Sequence, residues 1–317
     1  MTTGKKASIV VVVALVGGLA LAVPALISAF SRPDVVVGGK NFTEQQIIGE
    51  MMAILIEENT DLSVGRKLNL GGTMICFEGV KSGDLDTYCE YVGTGLMSIL
   101  GRPVINDPDE AYKVVQDAFA EEWEVAWLQP LGFNNAYTIT MRREQASSLG
   151  IETISDLAEY VSNNTDGDRL VAGFDSEFLV REDGYPGLTK AYDFEFDADP
   201  KHMDTGLMYK ACADGEVDVI CAFNTDGRVA AYDLKVLEDD KQFFPPYHAA
   251  PIFRRETLDT HPQLRALINK LGGRIDDETM RQLNYKVDRE DDPMDAAQVA
   301  REFLRSEGLI PADEGKD

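Results

Sequence analysis

The chain has 317 residues, about two domains at ordinary domain sizes, and 44% of them are hydrophobic, enough to bury a sizeable core. Its 55 acidic residues against 30 basic ones give a net charge of -25 with no basic cluster, which argues against a nucleic-acid-binding face. The same charge keeps the protein soluble and self-repelling, a repulsion that dissolved salt screens, so adaptation to a saline exterior is expected.

Residues 7–30 carry no charge and follow Lys5 and Lys6. As a helix they would span about 36 Å, enough to cross a bilayer. The positive flank places the N-terminus inside and everything after Phe30 outside. Length favours a lasting membrane anchor, whereas Val23-Pro24-Ala25 and Ile27-Ser28-Ala29 resemble cleavage sites of a removable signal. The first cysteine is Cys76, so no lipid-modified N-terminal cysteine is available. Under either reading residues 35–317 work outside the cytoplasm.

After the linker Ser31–Asp34, Val35–Val37 reads as a buried strand ending in Gly38-Gly39. Thr43 reads as a helix N-cap with Gln46 completing a capping box, before the helical spacing of Ile47, Ile48, Met51, Ile54 and Leu55. That leaves 38–45, GGKNFTEQ, as the first functional loop. A strand near 67–70 and a helix near 109–123 follow, an alternation that calls for a mostly parallel sheet. Residues 134–142, NNAYTITMR, alternate as a strand, and a second strand is expected at 170–172. The Pro245-Pro246 pair in DDKQFFPPY breaks regular structure and reads as a strap crossing between lobes. The last helices carry Val299, Phe303 and Leu304 at helical spacing and are expected to return over the first lobe.

An internal repeat runs through this order. Residues 82–95, SGDLDTYCEYVGTG, match 214–227, DGEVDVICAFNTDG, at an offset of 132 residues. Gly83 pairs with Gly215, Asp86 with Asp218, Cys89 with Cys221 and Tyr91 with Phe223. Each copy reads as a helix stopped by a glycine, then a strand, then a polar turn, and ligands gather beyond the carboxyl ends of such strands. Two matching half-sites predict one cleft between two lobes, with Tyr91 and Phe223 at its edge.

An exterior address permits disulfides. A Cys76–Cys89 bridge and four buried thiols are both left open by the spacing. No Cys-x-x-Cys occurs and His202, His248 and His261 are scattered, so no metal site is expected. An enzyme finds little support: there is no recognisable Ser/His/Asp arrangement and no GxxxxGK[ST] loop for phosphate.

Taken in order, GGKNFTEQ (38–45), LGGT (70–73), EYVGT (90–94), NNAY (134–137), REDGYPGL (181–188), TDGR (225–228) and DDKQFFPPY (239–247) resemble one family. It is the substrate-binding proteins of ABC importers for compatible solutes, of the glycine betaine/choline type. The resemblance runs from about Val35 to Ile310 and rests on the ordered combination, since any one string is weak. It implies an α/β two-lobed periplasmic-binding-protein-like fold (type II), each lobe a mixed, mostly parallel sheet flanked by helices, behind the N-terminal transmembrane or signal helix. The expected division is 1–34 for anchor and linker, 35–132 plus 245–317 for lobe I, and 133–244 for lobe II.

The resemblance further implies an aromatic cage of Tyr91, Tyr137, Phe223 and Tyr247 around a quaternary ammonium. Such a head cannot donate a hydrogen bond, whereas ring faces attract it at roughly 0.5–2 kcal/mol each. The family usually has Tyr at position 223; Phe keeps the ring and loses the phenol's hydrogen bond. By the same likeness Lys40, Thr94 and Arg181 would meet a betaine carboxylate, with Gln45 and Asn135 as further polar contacts. Thr94 leaves room for a carboxylate, and an Asp there would favour an alcohol such as choline. Taken singly, Lys40 and Arg181 read as solvated surface charges and the rings as packing; only their occurrence together lifts the assignment. The implied partners are the small ligand, an ABC permease and through it a cytoplasmic ATPase, with no cofactor and no nucleic acid. An anchored sensor or scavenging module for the same ligands is the alternative.

Overall fold

The computed structural model describes residues 32–163 and 169–312. The apolar run at 7–30 lies outside them, so its reading as anchor or signal stays an expectation. Among the described residues no helix is long and apolar enough to cross a membrane.

Two five-stranded sheets organise the chain from Val35 onward. The first takes β1 (Val35–Gly38), β2 (Val64–Lys67), β3 (Thr87–Tyr91), β4 (Val125–Trp127) and β10 (Ala249–Arg254), in the order β2-β1-β3-β10-β4. The second takes β5 (Tyr137–Arg142), β6 (Ala172–Phe174), β7 (Lys201–His202), β8 (Val219–Phe223) and β9 (Leu234–Val236), in the order β7-β6-β8-β5-β9. The sheets are mixed, and in each of them four strands run one way and one runs against them. In the first, β1 pairs in parallel with β2 and β3, while β10 runs antiparallel to β3 and β4. In the second, β6 is parallel to β7 and β8, while β5 runs antiparallel to β8 and β9. The antiparallel insertions are the strands by which the chain enters the second sheet and returns to the first.

The internal repeat is the structural equivalence of β3 and β8, each third in its sheet. Gly83 and Gly215 both end their helices in the left-handed conformation, at φ 83° and 80°. Asp86 accepts from Val36 N at 2.7 Å, and Asp218 accepts from Val171 N at 2.9 Å. The matched aspartates therefore do one job twice, satisfying a backbone donor at the start of the neighbouring parallel strand or one residue before it.

Helix α1 (Thr43–Asn59) packs beneath β1 and β3 with Ile47, Ile48, Met51, Met52, Ile54 and Leu55 fully buried. The capping box does not form: Phe42 is the N-cap residue, and the Thr43 hydroxyl donates instead to Asp288 at 2.5 Å. Asp288 ends α4 (Asp277–Asp288), and α5 (Ala296–Ser306) lies along α1 with Val299, Phe303 and Leu304 buried, so the chain's end returns over the first sheet. On the sheet's opposite face α2 (Thr73–Ser82) and α3 (Pro108–Trp123) enclose a second core.

The cysteines are four buried free thiols, and the Cys76–Cys89 bridge is absent. Strand alternation explains it. Tyr88 and Cys76 share the core on the α2 side, while Cys89, one residue on, belongs to the core on the α1 side.

Candidate functional site

The repeat places two aromatic side chains at equivalent strand ends. Tyr91 closes β3, and Phe223 closes β8 directly opposite Tyr137 of β5 in the antiparallel register. Cross-strand pairing brings the Tyr137 and Phe223 rings to 4.9 Å between centroids. Tyr247 arrives on the returning strap, fixed by its N–H donating to Asn134 Oδ1 at 2.6 Å and its carbonyl accepting from Asn135 N at 3.1 Å. Its ring meets Tyr137 edge-on at 5.9 Å.

All four rings border one cavity of about 80 Å³. That is far below the roughly 300–1,000 Å³ of drug-sized pockets, so it suits a small ligand. Lys40, Thr94, Asn135 and Arg181 border it too; Gln45 does not. Gln45 stands behind the wall, donating to Tyr91 Oη at 3.0 Å and to Cys89 O at 2.9 Å. It positions a ring and does not face the space.

A fifth ring belongs to the wall. Phe42, inside GGKNFTEQ, lies nearly parallel to Phe223 (5.8 Å, 8°) and stacks on Tyr91 (6.3 Å, 24°), linking the two repeat-related rings. Its position before the helix was legible, but its reach to β8 was not, because it depends on how the halves meet.

The two cations are already engaged. Lys40 Nζ lies 2.7 Å from Glu90 Oε1, donates to Thr73 Oγ1 at 3.0 Å and sits 5.2 Å above the Tyr91 ring. Arg181 spreads its fork over both oxygens of Asp183, with Nε to Oδ1 at 2.7 Å, and reaches Glu177 at 3.2 Å and Thr94 Oγ1 at 3.3 Å. Burial pushes the Asp183 carboxyl up, but Arg181 and the Tyr247 hydroxyl, at 2.6 Å, outweigh it and hold the group below its ordinary value. The phenols of Tyr91, Tyr137 and Tyr247 are pushed well above their ordinary range, first by burial and then by nearby carboxylates, so they stay neutral.

Glu44 is a residue the sequence reading passed over. Buried to 2% exposure, it accepts from Tyr91 Oη at 2.6 Å, Asn135 Nδ2 at 2.7 Å, Thr225 Oγ1 at 2.7 Å and Asn284 Nδ2 at 3.2 Å. Four neutral donors from four parts of the chain thus converge on one carboxylate, tying β3 to the turn beyond β8. Burial raises its pKa against those hydrogen bonds.

Two sheets joined by crossing strands, with a small ring-walled cavity between them, define a solute-binding protein of the two-lobed kind. Residues 33–306 match the family described as the substrate binding domain of ABC-type glycine betaine transport system, and the chain belongs to it. It is similar to the carnitine transport binding protein OpuCC of Listeria monocytogenes, 38% identical over 289 residues that cover 90% of each chain. It is also similar to the glycine-betaine-binding protein of Pseudomonas aeruginosa, 35% identical over 285 residues, 88% of this chain and 89% of that one. Among solved structures, a glycine betaine/carnitine/choline ABC transporter protein superposes with a TM-score of 0.71 at 36% identity, over 87% of this chain and 100% of the other. These relatives are transport binding proteins, not enzymes.

Proposed function

We propose that the protein captures a quaternary ammonium osmolyte (glycine betaine, choline, carnitine or proline betaine) outside the cytoplasm and delivers it to an ABC permease driven by a cytoplasmic ATPase. The observation that carries this reading is the convergence of Tyr91, Tyr137, Phe223 and Tyr247 on one small cavity fed by both sheets. Ring faces hold a methylated cation without needing a hydrogen bond from it. Phe42 is added to that wall on its stacking against Tyr91 and Phe223. Lobe I is taken as 35–132 plus 245–317 and lobe II as 133–244, with residues 7–30 as anchor or signal. Only the closed arrangement engages ligand from both sides, so binding shifts a hinge equilibrium by its differential affinity.

Calorimetry of the purified protein against glycine betaine, choline and carnitine tests the reading. At least one is expected to bind, and Tyr137→Ala, which removes the ring at the centre of the cluster, is expected to weaken it at least about tenfold, the equivalent of one strong ring contact. No binding of any of the three, or unchanged binding by Tyr137→Ala, removes the proposal.

A further inference from the structure

Glu177 crosses the cleft. It follows β6 of the second sheet, yet its carboxylate accepts from Thr73 N at 2.6 Å and Thr73 Oγ1 at 3.1 Å, at the start of α2 beside the first sheet. On its own side it meets Arg181 at 3.2 Å. Lys40 completes the surroundings through the shared Thr73 hydroxyl. The place where Lys40, Thr73 and Arg181 converge, which a ligand's carboxylate would seek, is thus already held by an anion of the protein's own.

The rest of the cavity has the same bias. Lys40 is paired with Glu90 and Arg181 with Asp183, so neither cation is uncommitted. Asn135 lines the cavity at 5% exposure with its Oδ1 buried and unpartnered, an acceptor awaiting a donor or a positive group. Burial pushes the Glu177 carboxyl up, but Lys40, Arg181 and Thr73 outweigh it and lower its pKa, which keeps it ionised at neutral pH.

Resting on the quaternary ammonium reading, we infer that Glu177 sets the charge selectivity of this site: a zwitterion must displace it to seat a carboxylate, whereas a cation with a hydroxyl tail need not. Glu177 supplies from across the cleft the negative charge that an acidic residue at Thr94 would otherwise bring, and Arg181 touches both positions. The handicap falls on glycine betaine and not on choline.

Calorimetry of the full-length protein with choline and glycine betaine, on wild type and Glu177→Gln, tests this. Glutamine keeps an acceptor for Thr73 and removes the charge. The glycine betaine Kd is expected to fall relative to the choline Kd by about tenfold, the scale of one partly screened unit charge at contact. Glu177→Asp, which keeps the charge, is expected to leave the ratio near the wild-type value, and a thermal melt confirms that each variant is folded. Equal weakening of both ligands in Glu177→Gln would make Glu177 a mere latch and overturn the inference, as would an unchanged ratio. If wild type binds neither of these two, the inference falls; if it binds no carnitine either, the quaternary ammonium reading fails with it, an outcome distinct from an unchanged ratio.

Discussion

Among single residues, the buried carboxylate of Glu44 carries the clearest consequence. Its donors Tyr91, Asn135, Thr225 and Asn284 are all neutral, so they offset burial without reversing it, and the pKa stands above the ordinary carboxyl value. A carboxyl raised by folding contributes stability that is present below its unfolded pKa and lost as pH rises through the folded one. Wild-type melting temperature is therefore expected to carry a component that declines as pH climbs from about 4.5 toward neutrality. Glu44→Gln should lack that component, so the wild-type minus variant difference in melting temperature should fall with pH. A flat difference would show that Glu44 titrates normally, and one that grows with pH would show that folding lowers its pKa instead. The motif GGKNFTEQ marked this stretch as functional, but it could not separate Lys40 and Phe42 at the cavity from Gln45 and Glu44 behind it. That separation comes from the turn into α1, where successive side chains point in different directions.

At the scale of elements, ring placement depends on two segments fitting closely. The short turn after β3 passes beneath the strap, and a Cβ on Gly93 would lie 2.8 Å from the Tyr247 ring and 3.0 Å from the Pro246 carbonyl. Backbone on one side and a ring bonded to Asp183 on the other leave little room to yield. Gly93→Ala is expected to keep the fold, at a stability cost of about 1–3 kcal/mol for overpacking, and to weaken ligand binding by moving Tyr247. Parallel melts and calorimetry check both parts; binding at wild-type strength would mean that the Tyr247 position is not critical. The repeat at 82–95 and 214–227 predicted equivalent strands, and β3 and β8 are equivalent down to the hydrogen bonds of Asp86 and Asp218. Strand direction was less legible. Alternation of helices and strands implied parallel pairing, and nothing local in 134–142 or 249–254 reveals that both strands enter their sheets antiparallel, because that follows from where the chain must cross.

For the whole molecule, 55 acidic residues against 30 basic ones leave a net charge of -25 that ion pairing cannot cancel. Self-repulsion is long-ranged in dilute buffer and screened within about 3 Å at 1 M salt. Melting temperature is expected to rise from dilute buffer to about 1 M sodium chloride; a fall, or no change, would mean that surface repulsion is not a significant burden on the fold. Hydrogen bonds join the parts carrying the two sheets: Thr73 to Glu177, Arg181 to Thr94, and Thr225 to Glu44. None of these joins residues near in sequence. The linear order of residues was sufficient for the family, the two matched halves and the rings that would gather, because motifs, periodicity and a repeat are local or self-comparing properties. Folding in three dimensions alone settled which charges neutralise one another, that Phe42 joins the wall and that Glu177 reaches the opposite side, because each is a contact between distant segments that no local pattern encodes.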